Sequence, residues 1–313
     1  MVDVASSATG SLELFPRPPY RLDLTAWALR RRARNQVDRW DGSYRRTLLV
    51  GERAIPIQVH QVGPVNHPVL RIDLHGQDRY DASELDEVTR QVTGLLGFDV
   101  DLEGFYDVAD RNALTGPLKD RFVGLRPPRF PTLFEAMVNA VANQQLSLEV
   151  GLTLLNRLTD SFGVGLVESP GPKALPPPEA VLAVSPRDLQ ALGFSGRKTD
   201  YLLGIADAIV TGAIDEADLQ VAERDDAVGQ LMSIRGIGRW SAEYVLLRGL
   251  GRLDVYPGDD VGARNKLQRF LGLDHAPGYD EIAERLSPWQ PWAGMLYFHL
   301  LLDGLVERGE LVL

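Results

Sequence analysis

The 313-residue chain predicts an α+β protein: a small amino-terminal domain built on an antiparallel sheet with helices, followed by an all-α core. Three observations carry this. Strand-like runs at Tyr44–Val50, Ala54–Val62 and Val69–Leu74 lie between turn signals at Asp41-Gly42, Gly51-Glu52 and Gly63-Pro64. Ser83–Leu96 then reads as a helix, with Ser83 as its cap and Leu85, Val88, Val92 and Leu95 turned inward. From Asp107 onward the apolar spacing is almost wholly helical. Strands followed by a helix within roughly 80 residues imply segregated α+β packing.

In chain order, residues up to about Ser11 are small and polar and are expected to be disordered. Phe15-Pro-Arg-Pro-Pro-Tyr20 leads into a helix over Asp23–Asn35 that carries Leu24, Trp27, Ala28 and the basic run Arg30–Arg32. With Arg34, that run is read as a solvated face in preference to a DNA contact. The amino-terminal domain thus spans 12–106, after a tail at 1–11. Thr132 caps a helix from Leu133 to about Gln145, with Glu135 at capping-box spacing. Gly163–Pro178 is a proline-rich connector. Gly193–Thr199 precedes a helix to Ile209, and Lys198 is expected to sit in water. Trp289-Gln-Pro-Trp292 opens an apolar helix to Leu302.

Composition narrows the function. The chain has no cysteine, which excludes disulfides, thiol catalysis and a four-cysteine iron–sulfur cluster. The first residues lack the basic and apolar regions of a signal peptide, and no apolar run approaches the roughly 20 residues of a membrane helix, so a cytoplasmic protein is expected. A net charge of −10 argues against nucleic acid. Its distribution argues back: Met232–Phe270 holds seven Lys/Arg against four acids, while acids gather at Asp81–Glu87 and Asp215–Asp226.

The most informative stretch runs from Leu231 to Asp260. Val228, Leu231 and Met232 recur at helical spacing before Gly236 and Gly238; Trp240, Tyr244, Leu247 and Arg248 do so after them. Glycine suits a tight reversal with positive φ, and the second helix opens on free N–H groups that favour a phosphate. An ordinary αα-hairpin accounts for a lone Gly-x-Gly equally well. Beyond it, Gly249 and Gly251 close the helix, Pro257-Gly258 turns the chain, and Asp259-Asp260 stands at the next helix start. Asp259 is assigned the N-cap, leaving Asp260 for chemistry. A carboxylate in a helix's first turn is favoured by the dipole and suits a reaction in which positive charge develops.

These residues, Gly236-Ile-Gly-Arg-Trp-Ser-Ala-Glu-Tyr244, Leu247-Arg-Gly249 and Asp254-Val-Tyr-x-x-Asp-Asp260, resemble the helix-hairpin-helix DNA glycosylase superfamily, and within it the AlkA-type 3-methyladenine DNA glycosylases. The amino-terminal order beginning at Pro18-Pro-Tyr20 and the Trp289–Leu302 end are similar too. The resemblance implies a glycosylase core of two lobes, about 131–249 and 107–130 plus 250–313, with Trp289 and Trp292 packing the lobe that holds Asp260. It implies Asp260 as the catalytic aspartate and Trp240, Tyr244 and Leu301 at the base pocket, with Leu301 and Val261 departing from the tryptophan and tyrosine of AlkA. It places Gln144, Gln145 and Leu146, with Gln145 as wedge candidate, and Gly236, Gly238 and Arg239 against DNA. Main-chain carbonyls of Met232, Ile234 and Gly236 are implied for a monovalent cation, Na+ or K+, with no cofactor required.

Trp240 occupies the place where bifunctional relatives carry a catalytic lysine, and no other lysine lies between the hairpin and Asp260, which implies a monofunctional enzyme without strand cleavage. One carboxylate suffices for an alkylated purine such as 3-methyladenine, which already carries positive charge and leaves unaided. The expected partner is double-stranded DNA with damaged bases, bound by a nucleoid-associated monomer with no membrane contact. The competing readings are a non-catalytic helix-hairpin-helix DNA-binding module, a glycosylase for neutral lesions such as hypoxanthine or uracil, and, more distantly, a helical scaffold.

Overall fold

The computed structural model describes residues 4–7, 10–77, 79–166 and 171–313. Its amino-terminal part holds β1 (Val4–Ser7), β2 (Ser11–Leu14), α1 (Leu22–Arg30), β3 (Arg39–Trp40), β4 (Tyr44–Val50), β5 (Arg53–Gln61), β6 (Leu70–Leu74) and α2 (Ala82–Leu96). The six strands form one antiparallel sheet in the order β1-β2-β6-β5-β4-β3. Val4–Ser7 and Ser11 are therefore paired strand, which corrects the expectation of a disordered start; the remainder of that expectation, at 1–3 and 8–9, lies outside the described residues. In β6 the alternation is plain: Leu70, Ile72 and Leu74 are buried between the more exposed Arg71 and Asp73.

The helices follow: α3 (Glu103–Asp110), α4 (Thr115–Arg121), α5 (Leu133–Asn143), α6 (Leu148–Phe162), α7 (Pro178–Leu182), α8 (Pro186–Ala191), α9 (Gly196–Val210), α10 (Glu216–Val221), α11 (Arg224–Met232), α12 (Arg239–Arg248), α13 (Val261–Leu271), α14 (Tyr279–Leu286) and α15 (Ala293–Glu307). Among the described residues no helix is long and apolar enough to cross a membrane.

Capping chemistry sets several boundaries differently from the sequence expectation. Asp81, not Ser83, caps α2, in a full capping box with Glu84. Thr132 caps α5 as expected, but the Glu135 carboxylate turns away from the cap to the buried Arg46. Helix α1 stops at Arg30, five residues short of Asn35, because Arg31 takes a left-handed conformation, φ 62°.

Apolar packing divides into two clusters. One joins the sheet and α2 to α5–α12; the other joins one face of α1 (Leu24, Ala28) to α3, α4 and α13–α15. The seam between them passes through α12, whose Tyr244 belongs to the first cluster and Leu247 to the second. Trp289 is buried in the second cluster and donates from Nε1 to Thr115.

His299 lies deep in that cluster, its Nδ1–H donating to the Met295 carbonyl at 2.8 Å and its ring 5.0 Å from that of Phe105. Burial pushes its pKa from 6.5 down to about 4. Between those values the unfolded chain takes up a proton that the folded chain refuses. Stability therefore falls as pH drops through that window and levels off below it, by up to about 3 kcal/mol. His299→Leu is expected to flatten the urea midpoint between pH 6.5 and 4; an unchanged slope in that variant would place the pH dependence elsewhere.

Candidate active site

The site assembles at the seam between the clusters. Helices α11 and α12 are joined by Ser233–Gly238, where Gly236 has φ 95°. A Cβ at that position would lie 2.2 Å from the Tyr201 ring, so glycine is required by both conformation and space. Gly238 begins α12 with no side chain capping its first turn, and the leading N–H groups are left for a ligand.

Asp260 is itself the N-cap of α13. Its Oδ1 accepts from the Ala263 N–H at 2.8 Å, while Asp259, assigned that role from sequence, is exposed. The correction sharpens the geometry: with Oδ1 held by the helix, Oδ2 accepts from Trp240 Nε1 at 2.9 Å. The carboxylate is thus tied at one oxygen to its own helix and at the other to the hairpin helix. No ion pair to Asp260 forms among the described residues. Trp240 and Tyr244, one turn apart on α12, have ring centroids 5.6 Å apart and planes inclined by 34°. Catalytic candidate and aromatic wall are brought together.

Leu301 is buried on α15 in the second cluster. One turn before it stands Tyr297, which the sequence reading missed. Burial pushes its hydroxyl up to about 12, and the charges of Asp260 and Tyr244 push the same way, whereas Arg248 and Arg31 oppose them. The i, i−4 spacing from Leu301 was the available signal.

Gln145 and Leu146 occupy the turn between α5 and α6, both exposed; Gln145 has φ 55°. Gln144 does not share that exposure. Its amide donates to the Gly236 carbonyl at 2.7 Å and to Ser241 Oγ at 2.9 Å, bracing the α5–α6 turn against the hairpin. The first of these bonds uses one of the two lone pairs of the Gly236 carbonyl and leaves the other. Arg239 stays at the surface, its guanidinium 5.0 Å from the Tyr279 ring centroid and bonded to its hydroxyl. Tyr279 in turn donates to Glu243, a buried carboxylate raised by desolvation.

Cations expected in solvent prove to be internal. Lys198 donates to the Ala142 carbonyl in the last turn of α5 at 2.8 Å, and burial lowers it to about 8. Arg30 and Arg31 are buried, contrary to the solvated-face reading. Arg248 is wholly buried; Nη2 donates to the Ala28 and Leu29 carbonyls, and its guanidinium lies 5.8 Å from the Tyr244 ring centroid. Lys266, on α13, is lowered to about 8, chiefly by burial, and is close enough to Asp260 to feel its charge; a Cβ at Gly304 of α15 would come within 3.0 Å of its Cε. A cavity of about 390 Å³ between the sheet and α5, lined by Arg46, Phe134 and Ile214, contains none of these groups.

Comparison with known proteins decides what this arrangement belongs to. Residues 138–291 match the model of the HhH-GPD superfamily base excision DNA repair proteins. A DNA-3-methyladenine glycosylase of Bacillus subtilis is 30% identical over 77% of this chain and 80% of that protein. The chain belongs to the HhH-GPD superfamily. DNA-3-methyladenine glycosylase 2 of Escherichia coli is 28% identical over 91% of the chain and 94% of its own length. The HhH-GPD fold itself is shared with a solved 3-methyladenine DNA-glycosylase from Archaeoglobus fulgidus, at TM-score 0.80 and 24% identity over 96% of this chain and 99% of that one. Asp260 and the hairpin both fall inside the segment that matches the family model.

Proposed function

We propose that this superfamily member is a monofunctional DNA glycosylase that everts an alkylated base of the 3-methyladenine type from duplex DNA and hydrolyses its N-glycosidic bond. The observation that carries this reading is the Asp260 carboxylate, fixed between the α13 N-terminus and Trp240 against an aromatic wall. Extrusion brings the base out of the stack, and Gln145 with Leu146 is positioned to fill the gap. An electron-rich ring against a cationic base contributes about 0.5–2 kcal/mol. As the C1′–N bond breaks, its electron pair goes to the base and positive charge develops on the sugar; Asp260 stabilises that charge and orients the water that adds to C1′. A non-catalytic binder would use Asp260 only to cap α13 and hold Trp240, a role that asparagine largely keeps.

Hydrolysis without strand scission is supported by Trp240 standing at the position of the lysine in bifunctional relatives. Lys266, an amine that feels the charge of Asp260, runs beside Gly304 of α15 and is largely buried. The partner proposed is duplex DNA bound by one copy of the chain, in the nucleoid, with salt-sensitive affinity expected for a body of net charge −10. Main-chain carbonyls of Met232, Ile234 and Gly236 are proposed for a monovalent cation at the hairpin, though none is required; those of Ile234 and Gly236 each accept one hydrogen bond and keep a second lone pair.

The deciding experiment incubates the protein with methylated duplex DNA and follows released base and alkali-labile sites. Release without strand breaks before alkali is expected, and borohydride should trap no covalent adduct. An adduct lost in Lys266→Ala would overturn the hydrolytic reading; intact binding without any release would favour the binding module.

A further inference from the structure

Arg31 stands where a side chain is least expected. It follows the last residue of α1 at φ 62°, the left-handed position that closes many helices and that glycine fills with least strain. Among the described residues two other helices end in the same conformation, α2 at Gly97 and α13 at Gly272, and both use glycine. Arginine at such a position sacrifices local stability, and strain of this kind collects at functional sites.

The side chain that justifies the strain is 5% exposed. Its guanidinium lies 5.8 Å from the centroid of the Tyr244 ring, the second aromatic of the wall beside Asp260. Nε is sealed from solvent without an acceptor, and the guanidinium makes no hydrogen bond or ion pair among the described residues. Its neighbours are not short of acids: Arg32 reaches Glu149 and Glu310, and Arg308 reaches Glu310. Tyr244 Oη and Arg248 Nε and Nη1 are likewise buried donors without acceptors. A buried donor left unpaired is costly, and several around one ring describe a place prepared for an acceptor that arrives with the ligand.

We propose that Arg31 is a specificity-determining residue, donating from the pocket wall to an acceptor on the everted base and favouring bases that leave as anions. This rests on the base-excision reading above. When the C1′–N bond of a neutral base breaks, the electron pair makes the base an anion, which a guanidinium stabilises before a proton from the attacking water neutralises it. A cationic methylated purine leaves neutral and gains nothing from that charge. Arg31 therefore widens the substrate class from cationic alkylated purines to neutral bases with carbonyl or ring-nitrogen acceptors.

Arg31→Gly tests this without threatening the fold, since glycine prefers the backbone conformation already present. Single-turnover release is measured from duplexes carrying one hypoxanthine, a neutral keto purine, or one 7-methylguanine, which is cationic. The variant is expected to lose about 10- to 100-fold on hypoxanthine, the effect of one charge-assisted hydrogen bond, and less than about threefold on 7-methylguanine. Its thermal midpoint should be unchanged or higher, and Arg31→Lys should recover part of the hypoxanthine rate. Equal losses on both substrates, no loss on either, or a wild-type protein that releases 7-methylguanine alone would each overturn the assignment. Release of neither base by the wild type, with duplex binding intact, would instead sink the base-excision reading.

Discussion

Asp260→Asn is expected to slow base release by about 10²–10³-fold or more, the loss found when one preorganised group facing developing charge is removed. Binding to undamaged duplex should stay within about threefold, because the α12 N–H groups and the basic surface are untouched. The choice of asparagine matters here. Asp260 caps α13, and asparagine is among the best N-cap residues, so the helix start survives. Yet both Asp260 oxygens are already accepting, from Ala263 N–H and from Trp240 Nε1, and an amide offers one oxygen. The variant must give up one of these bonds, at a cost of about 1 kcal/mol. Asp260→Ala loses the cap as well, so its stability should fall further than that of Asp260→Asn while its activity falls no less. Single-turnover release and urea denaturation on the same preparations separate the two losses. Near-normal release by Asp260→Asn would remove Asp260 from the chemistry.

That double role explains part of what the sequence left hidden. Two adjacent acids at a helix start invite a division of labour between Asp259 and Asp260, one capping and one reacting. The structure gives both tasks to Asp260, because a carboxylate has two oxygens and the Pro257–Asp260 turn brings only the second acid against α13. The hairpin, the glycine turn and the Trp240–Tyr244 wall were legible because each rests on local spacing. So were β4 and most of β5 and β6, where the turn signals bracket short apolar runs. The buried cations were not. Lys198, Arg30 and Arg248 resemble surface charges in sequence, but each ends on carbonyl oxygens: Lys198 on Ala142, Arg248 on Ala28 and Leu29, Arg30 on Trp40 and Ala33. Arg30 meets a strand carbonyl and one in the loop just after its own helix, but for Lys198 and Arg248 the acceptors are the last carbonyls of a helix, which lack internal partners and are satisfied by a long cation from a distant element. Such a pairing has no sequence spacing to betray it. Arg31 is harder still, since its left-handed backbone and missing partner emerge only when α1 is set against Tyr244.

The largest loss of stability is expected from Arg46→Met. Arg46 lies on β4, its side chain 2% exposed, with Nη1 donating to Asp38 at 2.7 Å and Nη2 to both oxygens of Glu135 at 2.5 Å. Tyr44 also donates to Asp38, so one buried network ties the strand, the loop after α1 and the first turn of α5. Burial opposes the charge of Arg46, but Glu135 and Asp38 outweigh it and hold the guanidinium well above its ordinary range. Glu135 shifts the other way from a simple ion pair, since burial raises it against the pull of Arg46. The charged pair is the state the geometry supports: both Glu135 oxygens accept from Nη2, and a protonated acid would forfeit one of those bonds. Methionine fills much of the volume but strands two buried carboxylates, and breaking such a network costs about 3–5 kcal/mol. Restoring neutrality with Asp38→Asn and Glu135→Gln alongside Arg46→Met should recover much of that loss, because the larger part is uncompensated charge rather than missing contact. Urea midpoints of the single and triple variants measure the difference. A triple variant no more stable than Arg46→Met would assign the loss to packing. Since α5 ends at Gln144, which braces the hairpin, Arg46→Met should also loosen that end, seen as faster amide exchange at Gly236–Ser241 below the unfolding midpoint.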